Sequence, residues 1–415
     1  MKKRVVVTGL GAVTPIGNTV YEFWENIKAG TVGIQNITKF DPTLYKVNVA
    51  AEVKNFKATD RIDMKSARRM ELFAQYAVSA AKEAMEDSGI DMGKENPFRV
   101  GTAIGSSVGS LQIVEEACSI IEKNGPGRLG PLIIPKMTSN MAAGNVAIAL
   151  CARGKSINIS TACATGTNNI GEAFRAIQYG DADIMIAGGA ESCITPTCVG
   201  GFIALTALST SQNSLRASIP FDKDRNGFVI GEGAGIVILE ELEHALRRNA
   251  RIYAELAGYG CTADAYHLTA LLEDGSGAVQ SMALAIKEAS ISPSEIDYIN
   301  AHGTSTHQND LIETRAIKEL FKDAAKTVKI NSTKSMIGHT LGAAGGIEFI
   351  VCVKTIIEGF IHQTMGTRTT EDECDLNYTI DAPIRQAVNA TLSNSFGFGG
   401  HNATLVLRKY VYGNS

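Results

Sequence analysis

The 415-residue sequence predicts an α/β fold with largely buried sheets. Three observations carry that expectation. Short runs rich in β-branched residues alternate with segments of helical period along the whole chain. The hydrophobic fraction is 45% against 20% charged, enough apolar residue for a large core and too little charge for disorder. No Pro/Ser-rich linker, low-complexity tract or solenoid-length repeat interrupts the alternation.

In chain order, strands are predicted over 4–8, 100–104, 156–159, 184–187, 235–240, 252–259, 298–301, 328–331, 390–395 and 403–408, with helical segments between them. The clearest helix lies in "SARRMELFAQYAVSAAKEAMEDSG". Met70, Phe73, Ala77, Ala81, Ala84 and Met85 recur there at three- and four-residue steps, and Gly89 supplies a stop. A division after "EELEHALRRNAR" gives two halves, 1–250 and 251–415, packed together and not tethered. Gly9-Leu10-Gly11 in "VTGLGAV" has the look of a nucleotide-binding turn. The pattern is incomplete, because Thr14 stands where the third glycine belongs and Pro15 follows. NAD binding is therefore not expected.

Several function classes are set aside by composition. A formal net charge of −4 gives no footprint for nucleic acid. No 18-residue apolar stretch exists, and the apolar run 5–7 is too short for a signal sequence. The eight cysteines show no Cys-x-x-Cys spacing, so neither a zinc site nor a disulfide framework is expected. These features predict a soluble cytoplasmic protein with reduced thiols.

Four segments hold residues suited to chemistry. In "SINISTACATGTNN" a strand gives way to small residues around Cys163 and then to a helix, the layout of a nucleophile elbow. A helix N-terminus there would favour the thiolate. Read alone, the same cysteine also fits as packing among small residues. "YINAHGTSTHQND" puts His302 after a strand, and "INSTKSMIGHTLGAAGGIEFI" puts His339 in a Gly/Ala-rich turn, with Lys334 before it and Glu348 after. Each histidine could be a structural hydrogen-bonder, or an acid/base group or donor to a developing oxyanion. "SNSFGFGGHNATLVL" places Phe396 and Phe398 among glycines between two strands, either as a tight turn with core aromatics or as a hinge that swings Phe398 over a pocket.

Together these segments resemble the β-ketoacyl-acyl carrier protein synthases of the elongating kind, within the thiolase-fold superfamily, and most of all the KAS II type. "RVVVTGLGAVTPIG", "TACATG", "IAGGAES", "PFDKDRNGFVIGEGAG", "NAHGTST", "TKSMIGHTLGAAGGIE" and "NSFGFGG" occur in family order from end to end. The resemblance implies a five-layered αβαβα sandwich of two similar halves, usually a homodimer. It implies that Cys163 accepts the acyl group, that His302 and His339 are the catalytic histidines, and that Lys334, Glu348 and Asp310 belong to their network. It further assigns the backbone N–H groups of Cys163 and Phe398 to an oxyanion hole, and Phe398 to a gate. Phe396, Val108, Phe202 and Leu341 are then acyl-pocket residues, and Thr304 and Thr306 bind the phosphopantetheine arm.

The implied reaction is a decarboxylating condensation of a Cys163-bound acyl group with a malonyl thioester, with no metal or redox cofactor. The implied partner is an acidic acyl carrier protein. Lys65, Arg68 and Arg69 in "RIDMKSARRM" fall at helical spacing and form either a solvated face or its docking site. Some segments depart from the family. Asn226 replaces a usual aspartate, Ala270-Leu271 replace small polar residues and proline near the entrance, and 361–372 lacks the usual prolines. A ketosynthase subunit of a dissociated polyketide system, which would pair as a heterodimer, is the alternative reading. A thiolase would carry a second cysteine where Phe398-Gly399-Gly400-His401 stands, and the initiating type pairs its histidine with asparagine.

Overall fold

The computed structural model describes residues 2–411. Ten strands build its main sheet: β1 (Val5–Val13), β2 (Val100–Gly105), β3 (Ser156–Ile157), β4 (Ile184–Glu191), β5 (Gly233–Glu241), β6 (Ala254–Ala263), β7 (Tyr298–Asn300), β8 (Lys329–Asn331), β9 (Ala390–Gly397) and β10 (His401–Arg408). Each answers to one strand expected from sequence. The expected strand at 156–159 keeps only two paired residues, and those at 4–8 and 184–187 run on to Val13 and Glu191. Two short ribbons, Gln35–Asn36 with Val49–Ala50 and Phe360–Ile361 with Ile384–Arg385, were not foreseen.

The spatial order is β8-β7-β9-β10-β6-β1-β5-β4-β2-β3. Cut between β6 and β1, it yields two five-stranded halves of one topology. In each, the third strand lies beside the second, then the fourth, fifth and first. The second strand is parallel to its two neighbours, and the remaining pairs are antiparallel. β1 and β6 join the halves through Val5–Leu256, Val6–Glu255 and Val7–Ala254. The chain is thus built twice on one plan, a repetition its letters do not display.

Helices complete five layers. Helix α1 (Leu72–Ser88) covers β1, β4 and β5 from outside. Helix α2 (Thr165–Gln178) lies in the middle, and α3 (Ser276–Glu288) covers β6 and β10 on the opposite outside, with α4 (His307–Phe321) beside it. Helix α5 (Ala344–Glu358) packs on α2, and both touch strands of each half. Three large apolar cores follow these layers among the described residues. The middle one holds Phe174, Ile177, Ile347 and Phe349, and the outer two hold Phe73, Val78 and Ile236, and Met282, Ile317 and Leu392. Burial of such side chains, at about 2 kcal/mol each, is the main stabilising term.

The glycines of "VTGLGAV" lie inside β1 and form no turn. A Cβ on Gly11 would stand 1.9 Å from the carbonyl oxygen of Ala80, and one on Gly9 would stand 2.1 Å from that of Ala84. The two glycines let the α1 backbone press onto the strand. The expected helix around 66–88 is also interrupted: a single turn, Met64–Ala67, precedes α1.

Candidate active site

The site forms where α2 and α5, the two middle helices, begin. Before α2 the chain makes a tight turn, Ala162–Ala164, with Ala162 at φ 51°. A left-handed non-glycine residue is strained, and the strain persists only where surroundings impose it. They do so here. Thr161 N–H donates to Thr165 Oγ1 at 3.0 Å, Asn168 Nδ2 donates to Thr161 Oγ1 at 2.7 Å, and Asn169 Nδ2 donates to the Ile159 carbonyl at 2.8 Å. Helix α2 thereby fastens the elbow that presents Cys163. Gly166 is required by the crossing, since a Cβ there would meet Gly346 N at 2.8 Å and the Gly342 carbonyl at 2.9 Å.

The second half repeats the elbow. Leu341–Ala343 makes the same turn before α5, with Leu341 at φ 47°. Gly342 therefore occupies the counterpart of Cys163. His339 stands just ahead of this turn. Its N–H donates to the Val229 carbonyl at 2.7 Å, and its own carbonyl accepts from Gly231 N–H. Its ring Nδ1 accepts from Leu341 N–H at 3.3 Å, which leaves the ring proton on Nε2, and that buried atom has no partner.

His302 follows β7 on a segment held by Glu313 of α4. The Glu313 carboxylate accepts from the N–H of His302 at 2.9 Å and of Gly303 at 2.8 Å, and from Asn394 Nδ2 at 3.2 Å. His302 Nδ1 is buried without a partner. The two imidazoles meet edge to face with centroids 5.3 Å apart. Burial, and then the Lys334 charge, hold both well below the ordinary histidine range, so both rings are neutral. Behind them Lys334 and Glu348 form a fully buried ion pair. Burial pushes the Glu348 carboxyl up to about 7 against the pull of Lys334, and its Oε2 has no partner.

Cys163, His302, His339, Thr304 and Thr306 line one cavity of about 100 Å³, together with Phe202, Leu341, Phe396 and Phe398. An aromatic chain encloses it: Phe398 leans on Phe202 (6.4 Å), Phe202 on Phe228 (5.2 Å), Phe228 on His339 (5.3 Å) and His302 on Phe396 (5.6 Å). Thr304 and Thr306 share a hydroxyl contact of 2.8 Å. A larger open groove of about 1080 Å³ lies beside Gly17 and Lys54, and its lining holds no cysteine or histidine.

The N-terminus of helix α2 stands behind Cys163, and burial acts against the thiolate expected there. Burial pushes the half-buried Cys163 thiol up to about 12, and Glu191 and Glu348 add to this, while Lys334 and the Phe398 N–H pull it down. Burial is the largest of these influences, and it favours the thiol. The Phe398 N–H lies within hydrogen-bonding reach of the sulfur. A Cβ on Gly397 would fall 3.2 Å from Cys163 N, so the two N–H-bearing segments nearly touch. Beyond Phe398, Gly399 and Gly400 take φ of 88° and 75°, which glycine adopts freely. Gly399 N–H donates to the Leu268 carbonyl, and Gly400 accepts from Asp264 N–H.

Other expected residues lie further out. Asp310 accepts from Phe221 N–H at 2.8 Å and Ser305 N–H at 3.3 Å, with Arg225 at 3.6 Å. It pins the loop after His302 and does not join Lys334. Val108 is 38% exposed and does not line the cavity of the single chain. Lys65, Arg68 and Arg69 are exposed. They do not share a helix face, because the helix there ends at Ala67. Asn226 bonds Ser209 and Thr210, away from the sulfur. Sequence reasoning missed Glu313, Phe228, Thr269 and Asn309. Glu313 sits in an ordinary helical stretch and gave no signal. Leu271, one of the atypical residues, lines the cavity.

The description "Beta-ketoacyl synthase, N-terminal domain" matches residues 2–245, and "Beta-ketoacyl synthase, C-terminal domain" matches residues 253–368. The chain is 48% identical over 410 residues to a 3-oxoacyl-[acyl-carrier-protein] synthase 2 of Synechocystis sp., covering 99% of each. It is 48% identical over 408 residues to the protein of that name in Staphylococcus aureus, covering 98% of this chain and 99% of the relative. Among solved structures, a type II polyketide acyl-carrier protein in complex with its ketosynthase, bound to the hexaketide, superposes with a TM-score of 0.92. That match has 38% identity and covers 99% of this chain and all of the other.

Proposed function

The chain belongs to the β-ketoacyl synthase family and is an acyltransferase of the condensing kind, and we propose that the Cys163–His302–His339 cavity is its reaction centre. The chain joins an enzyme-bound acyl group to malonyl-acyl carrier protein. The products are 3-oxoacyl-acyl carrier protein, CO2 and free acyl carrier protein, in fatty-acid elongation. The observation that supports this centre is one sulfur and two neutral imidazoles around a single cavity.

In the first half-reaction the Cys163 sulfur attacks the thioester carbonyl, forms the new thioester and releases the carrier thiol. From the thiol, the proton leaves as attack proceeds and passes to the departing carrier sulfur, which is released as the thiol. The N–H groups of Cys163 and Phe398 are the donors for the tetrahedral oxyanion. In the second half-reaction the malonyl carboxylate departs as CO2, and its electron pair becomes an enolate. The proton-bearing His339 Nε2, with His302 beside it, is placed to hold the enolate oxygen. The enolate carbon attacks the acyl-Cys163 carbonyl, the C–S bond breaks with its electron pair on sulfur, and uptake of one proton from solvent regenerates the thiol. Lys334, held by Glu348, places its ammonium near the enolate and opposes protonation of the two rings. No step calls on a metal or redox cofactor.

Carrier protein would dock through Lys65, Arg68 and Arg69, which have no ion-pair partner among the described residues. Thr304 and Thr306 would receive its phosphopantetheine. The halves 1–250 and 251–415 each carry one copy of the repeated topology. A homodimer would use the outer edge of β3, whose neighbouring chain exposes Val108, Ile134 and Ile148. In such a dimer Val108 could line the acyl channel from the interface side. The cytoplasm is the setting these thiols and carrier substrates suit.

Condensation assayed with acyl-carrier substrates of graded length tests the reading. A 3-oxoacyl product is expected from wild type and none from Cys163→Ala. Full activity in that variant, or epoxide labelling at any other residue, overturns the assignment. A ketosynthase of a dissociated polyketide system is favoured only by the structural likeness and by Leu271 in the cavity. It would show product only with a partner subunit.

A further inference from the structure

The repeated elbow leaves a question in the second half. Gly342 stands where Cys163 stands in the first, and its side-chain space is filled by Glu191, the last residue of β4. A Cβ on Gly342 would lie 2.6 Å from Glu191 Oε2. Glu191 is fully buried and has no cationic partner among the described residues. It takes four donors: Gly342 N–H at 3.1 Å, Ser107 N–H at 2.9 Å, Ser106 Oγ at 2.7 Å, and the Ser107 hydroxyl. Three of the four, from Ser107 and Gly342, converge on Oε2, and Ser106 alone reaches Oε1, so one carboxylate oxygen ties the two turns together.

Those donors belong to two turns beside the nucleophile. Leu341, next to Gly342, lines the cavity. It packs in an apolar cluster with Leu111, Cys198, Phe202 and Ile203 that also touches Cys163. Ser107 accepts from Ser160 Oγ at 3.2 Å, three residues before Cys163. An acyl chain on that sulfur has this cluster as its apolar surroundings. We propose that Glu191 is a positioning residue for the condensation. Its carboxylate fills the N–H cradle of the second, nucleophile-free elbow. It thereby fixes the Ser106–Ser107 turn against the Leu341 turn and sets which acyl lengths the channel accepts. Burial raises the carboxyl and the four donors draw it down, so the anion depends on all of them.

This inference rests on the condensing function above, and the test separates the two. If wild type yields no 3-oxoacyl product from any acyl donor, the function itself fails. With an active wild type, Glu191→Gln and Glu191→Ala are compared over graded acyl donors. The ratio of kcat/KM between best and worst donor is expected to fall about tenfold. Decarboxylation of malonyl-carrier alone, which needs no acyl chain, is expected to stay within about twofold. Sodium formate, but not sodium chloride, should restore the acyl preference of Glu191→Ala by refilling the cradle. Should either Glu191 variant fail to fold, Ser107→Ala removes one donor and should shift the preference in the same direction by less. An unchanged acyl preference, an equal loss of decarboxylation and condensation, or no effect of formate overturns the proposal.

Discussion

His302 and His339 stand edge to face, at an interplanar angle of 84°, and only the His339 tautomer is fixed by a hydrogen bond. One of their ring nitrogens apiece is buried without a partner. Buried polar atoms are rarely left so, and in the function proposed above the rings supply donors to the enolate oxygen.

Replacing either histidine by alanine should therefore lower malonyl decarboxylation by about 10²–10³-fold, the usual loss for one oxyanion donor. Alkylation of Cys163 should continue in both variants. A rate within threefold of wild type would remove the ring from this role. Because both rings are held below the ordinary histidine range, they should remain neutral at pH 6 by NMR of the imidazole nitrogens. Protonation near 6.5 would contradict the buried geometry.

Glu313 gives a stability prediction of definite sign. Its carboxyl is pushed up to about 7 by burial, against the N–H groups of Gly303 and His302 that draw it down. A raised carboxyl contributes stability that is fully present below its unfolded value and is lost as pH rises through about 7. Glu313→Gln cannot titrate. The Tm of wild type minus that of the variant should therefore be larger at pH 4.5 than at pH 8. A difference that grows with pH would reverse the sign.

For docking, charge reversal at Lys65 and Arg68 should raise KM for carrier-bound substrate, more at low salt than at high, with little change in kcat. An unchanged KM would move the docking surface elsewhere.

Gly11→Ala should destabilise the fold by about 3 kcal/mol, because the new methyl meets the Ala80 carbonyl on a packed helix. Denaturant unfolding measures this. A loss below about 0.5 kcal/mol would mean that α1 shifts freely on β1.

The strands were legible because sheet-forming segments declare themselves by β-branched runs, and all ten expected runs pair in the main sheet. Gly9 and Gly11 were misleading in isolation. Glycine marks close backbone approach as readily as a turn, and only the position of Ala80 tells which. Cys163, His302 and His339 stood out because small residues surround them. Their chemistry was less legible: local sequence suggested a thiolate, but the charge state depends on burial and on Glu191 and Glu348, both distant in the chain. Glu313 went unseen for the same reason, since nothing near it in sequence shows that it faces His302.

The pairing of β1 with β6 has a mechanical consequence. Three consecutive residue pairs stitch the two copies of the topology into one sheet, with α2 and α5 bolted between them. A molecule joined in this way cannot clamp its substrate by swinging one lobe over the other. In the function proposed above, traffic to the sulfur falls to short lengths of backbone at the rim: the glycines after Phe398 and the stretch around Leu268 to which Gly399 is tethered. Admission of one long flexible arm after another then costs only a local rearrangement, while the frame holding the reacting atoms stays still through both halves of the cycle.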